Sequence, residues 1–409
     1  MEAAQSHNFK MHLLKEVADL RGGFAFKSEQ YSEQGHFVLR TVNITENGNI
    51  DKQKAVFIPE RMVEEYESFM LKEGDILFVM VGATLGKVGF IRNDSLPALL
   101  NQNMWRIRAK SEIVDPVFLY YLFKEKIREL IFLSSGSARG FLRRDDCRNL
   151  KLRIPSLHRQ KLVTRIISDF DDLNHSIKQE IFYSQEIISS LFRSWFIDFD
   201  PVKAKAEGKL PYGMDEKTAA LFPDSFEDSE LGPIPAGWNV GRIGDIADIS
   251  SGKHQPERSE LKSSEYRTPL LGGAGIIAWT TESLFDEPII VIGRVGTLGV
   301  VKKYTSPVWP SDNTLIFKTH HNSSFHYLLH QLRLQDFGAY NRGSTQPLLT
   351  QSDMRKLKLI IPNEDALMVF EEKIHYMTLL SDFNEGQSEY LTQTRDVLLP
   401  RLMSGELEV

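Results

Sequence analysis

The sequence predicts an α+β protein made of two similar globular domains, each followed by one long helix, with the helices pairing as an antiparallel coiled coil about a pseudo-twofold internal repeat. Three observations carry this. From about Pro155 to Phe199, Val163, Ile166, Phe170, Leu173, Ile177, Ile181, Ile188, Leu191 and Trp195 recur mostly three or four apart, the spacing of a helical seam. Asn363 to Met403 repeats the design with Leu367, Phe370, Ile374, Met377, Leu380, Phe383, Tyr390, Val397, Leu398 and Leu402. Finally, the chain repeats itself. SSGSARGFLRRDDCRNLKLRIP precedes the first rod and NRGSTQPLLTQSDMRKLKLIIP the second, placing Gly136 on Gly343, Asp146 on Asp353, Arg148 on Arg355 and Pro155 on Pro362 at a constant offset of 207 residues.

Taken in order, residues 1–154 read as a first domain of short apolar strands and turns, with helical patches at Arg61 to Ser68 and Pro116 to Leu133. Its start, FKMHLLKEVADLRGG, aligns with WNVGRIGDIADISSG at an offset of 229, so the first domain is 22 residues longer than the second. Residues 155–200 form the first rod, which lacks glycine and would extend about 60 Å at 1.5 Å per residue. Residues 201–237, rich in proline, glycine and acid, read as an irregular connector. Residues 238–361 are the second domain and 362–409 the second rod with a tail. Two apolar stripes in one chain bury each other most simply by packing antiparallel. The alternative is that each rod packs only on its own domain.

Composition bounds the function. At 409 residues and 42% hydrophobic content the chain is long enough for two cores. Its single cysteine, Cys147, excludes an internal disulfide and fits a reducing compartment, and no apolar run reaches membrane-spanning length. A cytoplasmic protein is expected. The net charge of −6 hides a basic run from Arg139 to Arg165 and an acidic one from Asp215 to Glu230.

Several motifs suggest chemistry and then lose it on comparison between the copies. GATLGKVG at 82–89 resembles a phosphate loop, but the second copy places Val300 at the Lys87 position. His326 and His330 stand one helical turn apart, yet their counterparts are Leu119 and Phe123, so packing outweighs metal binding. Asp365 with Glu371, Glu372 and Lys373 mimics a nuclease motif on what reads as a solvated helix face. No methylase or nucleophile-elbow signature is present. No catalytic, cofactor or metal residue is assigned.

Matching turns carry the polar candidates. Asn101, Gln102 and Asn103 align with Asp312 and Asn313, Arg139 with Gln346, and Lys27 with His254 or a residue near it, Lys253 among the candidates. Thr84 and Lys87 fall in the glycine turn of one copy, Arg294 and Thr297 in that of the other, with Arg143, Arg144 and Arg342 beside the Gly-Ser repeats. Asn and Gln pair with adenine edges, Arg pairs with guanine, and clustered Arg contacts phosphates. Ordinary turn chemistry is the competing reading for the Asn and Asp residues.

GGFAFKSEQY, LKLRIPSLHRQ, LFRSWFIDFDPVKAK, the connector GMDEKTAALFPDSFEDSELGPIPAGW and the closing LLPRLMSGELEV resemble the specificity subunit of type I restriction-modification systems over essentially the whole chain. The resemblance implies a non-catalytic DNA-binding subunit with two target-recognition domains, each reading half of a bipartite asymmetric site in double-stranded DNA. It implies that the paired helices set the spacer and dock two methylation subunits, through which restriction subunits join. S-adenosylmethionine, ATP and Mg would then reside on those partners. The second rod, entered by NEDALMVFEEK, departs from the HRQ step of the first. The alternative reading is a scaffold that joins two protein partners through its helices and does not touch DNA; a self-contained methyltransferase lacks its motifs.

Overall fold

In the first domain the strand Ile76–Val79 organises the rest, because all four of its residues are apolar and fully buried. Successive side chains of a strand point to opposite faces. Ile76 and Phe78 pack with Phe118 and Phe123 of the helix Pro116–Ser134, whereas Leu77 and Val79 pack with Phe37, Leu39 and Leu100 of a second sheet. The strand is therefore covered on both sides. Its sheet has the order Ala18–Gly22, Met104–Ala109, Ile76–Val79, Val88–Phe90, with every neighbour antiparallel. The second sheet joins Phe57–Ile58, His36–Leu39 and Ala98–Leu100, the last two parallel. The structure is a computed structural model that describes residues 9–45, 47–82, 84–134, 144–295, 298–340 and 348–408.

The second domain builds the same sheet from Ala247–Ser251, Thr314–Thr319, Ile289–Gly293 and Val301–Tyr304. The register matches residue for residue: Ala18 opposes Ala109 as Ala247 opposes Thr319, and Ile76 opposes Ile107 as Ile290 opposes Phe317. Ile290 and Ile292 face the helix Phe325–Arg333, while Ile289 and Val291 pack with Val308 and with Leu271 of this domain's other sheet, ordered Arg258–Ser259, Gly275–Thr280, Thr268–Gly272, Trp309–Pro310. A two-stranded ribbon returns each domain's end to its start: Lys10–Leu13 with Lys151–Ile154, and Asn239–Arg242 with Lys358–Ile361. Most of the first domain's extra length lies between His36–Leu39 and Ile76–Val79, where it carries the 3-10 helix Glu60–Phe69.

The long helices span Leu157–Phe196 and Glu364–Ser404. The chain divides into two compact units, 1–177 with 387–409 and 178–386, so each long helix contributes to both. In the first unit, Asp171 Oδ1 meets Arg395 Nη1 at 2.7 Å, Asn174 Nδ2 donates to Thr392 Oγ1 at 3.0 Å, and Arg159 Nη2 donates to the Leu407 carbonyl at 2.8 Å. Rising numbers oppose falling ones, so the segments run antiparallel. In the second unit Asn384 Nδ2 donates to Glu180 Oε2 at 2.9 Å, and the Phe370 ring lies 5.9 Å from Trp195 and 5.1 Å from Phe196, again antiparallel.

The seam differs from expectation in its middle. Leu173, Leu380, Phe383, Tyr390 and Val397 are exposed, and Asn174, Ser184, Thr378, Ser381, Asn384 and Ser388 are buried instead. Apolar spacing alone misplaces a seam that buries small polar residues, of which Ser388 donates to Asn174 across it. Toward the ends the expected residues hold, with Val163, Trp195, Phe370, Ile374 and Leu402 buried. The segment 201–237 is more ordered than an irregular connector. It forms helices Asp200–Ala206 and Glu216–Ala220 and the strand pair Phe226–Glu227 with Ile234–Pro235, and it buries Val202, Ala219, Phe222 and Ile234. Glu371 also leaves the solvated face assigned to it: its carboxylate accepts from the His326 amide at 2.8 Å and meets His326 Nδ1 at 2.7 Å.

Candidate nucleic-acid interface

In each domain the central sheet has one edge at which two strands end and two begin. In the first, Gly22 pairs with Trp105, Val79 with Met104, and Phe78 with Val88. That edge gathers the loops holding Lys27, Thr84, Lys87, Asn101, Gln102 and Asn103. The second domain gathers Lys253, His254, Arg294, Asp312 and Asn313 at the matching edge, where Ser251 pairs with Leu315 and Gly293 with Thr314. Separation along the chain hid this convergence.

The edge is held by one set of backbone hydrogen bonds, made twice. Gly23 N donates to Met104 O at 3.1 Å, Phe24 N to Leu100 O at 3.0 Å, and Met80 N to Asn103 O at 3.1 Å. Their counterparts are Gly252 N to Thr314 O at 3.3 Å, Lys253 N to Pro310 O at 3.1 Å, and Arg294 N to Asn313 O at 3.0 Å. Both crossings need glycine. A Cβ on Gly23 would lie 1.9 Å from the Asn101 carbonyl oxygen, and one on Gly252 would lie 2.1 Å from that of Ser311. These glycines escaped the sequence reading, although the offset of 229 that aligns the domain starts also places one on the other.

The candidates are not equivalent once placed. Gln102, Lys27, Asp312, Asn313, Lys253 and His254 are exposed, and Asn103 is exposed at φ 67°, so the tip of its turn projects outward. Asn101 is buried and serves the fold, bridging to Phe24 and donating its amide to Leu39 O at 3.1 Å. In the glycine turn, Leu85 N donates to Gly82 O, Gly86 N to Val79 O and Lys87 N to Thr84 O, at 3.0, 3.0 and 3.2 Å. These three amides are spent inside the turn, and Lys87 Nζ donates to the Ile44 carbonyl at 3.3 Å. Lys87 thereby ties the edge to the turn Thr41–Asn43, where Val42 is exposed; this turn also went unread.

Arg139, Arg143, Thr297, Arg342 and Gln346 lie outside the described residues, and Arg144 opens the short helix Arg144–Arg148. The basic run is not one surface. Arg153 lies 4.8 Å over the Phe9 ring, and Arg159 reaches the Leu407 carbonyl. On the central strand, Arg108 makes two 2.7 Å bonds to the fully buried Asp75, which raise its pKa, and Arg106 pairs with Asp19 while burial pulls its pKa down. His330 stacks on Phe192 at 5.0 Å, and burial, with Arg333, His326 and Lys303 nearby, drives it down to about 3. Among the described residues, no three His, Cys, Asp or Glu side chains come together as a metal site, and no helix is long and apolar enough to cross a membrane.

Comparison with known proteins agrees with this doubled architecture. The chain is 27% identical over 388 residues to the type I restriction enzyme MjaIX specificity subunit of Methanocaldococcus jannaschii, covering 86% of this chain and 82% of the relative. It is 26% identical over 406 residues to the HindI specificity subunit of Haemophilus influenzae, covering 82% of this chain and 87% of the relative. Its fold matches the crystal structure of the type I restriction-modification S subunit from M. genitalium, with a TM-score of 0.61, 16% identity and 98% of both chains covered. The family model for the type I restriction modification DNA specificity domain matches residues 7–182 and again 235–393, and the chain therefore belongs to the family of type I restriction-modification specificity subunits.

Proposed function

We propose that this subunit binds double-stranded DNA at a bipartite, asymmetric site, each domain reading one half through the sheet edge described above. One observation carries the reading: the same edge is built twice with matching registers, yet beside a shared Asn103 and Asn313 it displays different side chains, Gln102 and Met80 in one copy and Asp312 and Arg294 in the other. A shared frame with divergent polar tips suits two different half-sites, because base identity is read by side-chain donors and acceptors on a fixed backbone. Two methylation subunits would dock on the chain, bringing restriction subunits with them. The exposed Phe182, Tyr183, Ile187, Tyr376 and Leu379 of the long helices offer apolar surface for such partners. In this reading the chain is a non-catalytic cytoplasmic subunit that binds no cofactor, and S-adenosylmethionine, ATP and Mg belong to the partners.

The test is to express the chain with its methylation partners in a host free of other modification systems and to sequence the methylated DNA. One motif with two specified halves and an unspecified spacer is expected, together with salt-dependent duplex binding. Assembly with partners but no duplex binding at low salt would favour the scaffold reading.

A further inference from the structure

At the reading edge of the second domain, three side chains from three separate elements meet. Ser251 closes the strand Ala247–Ser251, Arg294 follows Ile289–Gly293, and Gln351 opens the helix Gln351–Lys356. Arg294 Nη1 donates to Ser251 Oγ at 2.9 Å, and Gln351 Nε2 donates to the same oxygen at 2.8 Å. A serine hydroxyl has two lone pairs, so both are spent on these donors. The Arg294 backbone is clamped on each side, its amide donating to Asn313 O at 3.0 Å and its carbonyl accepting from Leu349 N at 2.9 Å. The side chain is half-buried, and Nε is buried with no acceptor among the described residues.

The first domain lacks the whole arrangement. Strand register places Gly22 at the Ser251 position, and the shared backbone bond places Met80 at the Arg294 position. The repeat offset places Arg144 at the Gln351 position. All three residues differ together on a backbone that does not, as expected of a unit that serves one half-site only. An arginine fixed at its root and at one nitrogen has already given up much of its rotamer freedom, which a flexible arginine would lose on binding. The Nη2 protons and the second Nη1 proton form a fork matched to two acceptors in one plane, as the O6 and N7 atoms of guanine present in the major groove.

We infer that Arg294 reads a guanine of the half-site recognised by the second domain, with Ser251 and Gln351 as positioning residues that hold its guanidinium. This rests on the DNA-reading function proposed above. The test uses the chain assembled with its methylation partners and a set of duplexes, each carrying one base-pair change in the site. Arg294→Ala should relax one G·C position in one half-site, with discrimination there falling about 5- to 150-fold and the other half-site unchanged. Arg294→Lys keeps the charge without the planar fork and should relax the same position. Ser251→Ala should weaken discrimination at that position alone, and Ser251→Thr, which restores the hydroxyl, should recover it. Uniform loss on every duplex would mark a phosphate contact and overturn the inference, as would an unchanged preference in Arg294→Lys. A wild-type complex without any preferred site would instead remove the DNA-reading function itself.

Discussion

Gly252→Ala should disable the second reading edge while leaving the first intact. An added Cβ would sit 2.1 Å from Ser311 O and 2.3 Å from Pro310 O, and carbon cannot remain within about 3.0 Å of these backbone oxygens. The crossing must open by about 0.9 Å, the difference between 3.0 and 2.1 Å. That opening breaks or stretches Gly252 N to Thr314 O and Lys253 N to Pro310 O. At about 1 kcal/mol per hydrogen bond, plus strain passed into the strand Thr314–Thr319, the loss is about 2–4 kcal/mol. The urea-unfolding midpoint of the purified chain measures the stability term. Methylated-motif sequencing of the assembled complex measures the second, and the half-site read by the second domain should degrade alone. Unchanged stability with an unchanged motif would refute the argument that this crossing builds the edge.

Gly386→Ala supplies the opposite sign: it lies inside a long helix with nothing within 4 Å of its would-be Cβ, so unfolding should become harder by about 0.5–1 kcal/mol in urea. Asp171→Ala removes the carboxylate that Arg395 and Tyr121 share and leaves a largely buried guanidinium with Asp396 alone; a loss of about 2–4 kcal/mol is expected in the same assay, and a neutral result would show that solvent replaces the pair. His330→Phe, the residue present at the matching Phe123 position, should flatten the pH dependence of stability. The folded pKa of about 3 lies below the ordinary value of 6.5, so the unfolded chain takes up a proton first. Wild-type stability therefore falls as pH drops from 6.5 toward 3, by up to about 1.4 kcal/mol per pH unit, and urea midpoints at pH 7 and 5 should differ less in the variant.

The repeat was the most legible feature because it needs no structural assumption: Gly136 and Gly343, or Asp146 and Asp353, align by counting. It carried the fold class and the doubling of the sheet edge. The middle of the helical seam was not legible, since spacing rules weight Leu173, Phe383 and Tyr390 by hydrophobicity, whereas the interface buries the small Ser381 together with Asn174 and Asn384, which hydrogen-bond across it. Among the candidates, a buried scaffold residue such as Asn101 and an exposed tip such as Gln102 look alike in sequence. What separates them is one turn of backbone, fixed by a crossing glycine whose meaning appears only when the two strands meet.

On the proposed reading, new specificity can arise without rebuilding a domain. Backbone bonds at the edge are conserved between copies that share few side chains there, so the frame tolerates replacement of whatever projects from it. Exposed tips such as Gln102 and Asp312 make few internal contacts, and exchanging them costs little stability. The proposed reader Arg294 is different, because its hydroxyl support at Ser251 must change in concert, as Met80 and Gly22 at the corresponding positions of the first domain illustrate. Single substitutions should therefore shift readout at tip positions readily, while transfer of guanine recognition to the first domain should require Gly22→Ser, Met80→Arg and Arg144→Gln together. Methylated-motif sequencing of the triple variant against the Met80→Arg single variant checks this: a gained guanine in the single variant alone would show that the supporting hydroxyl is dispensable.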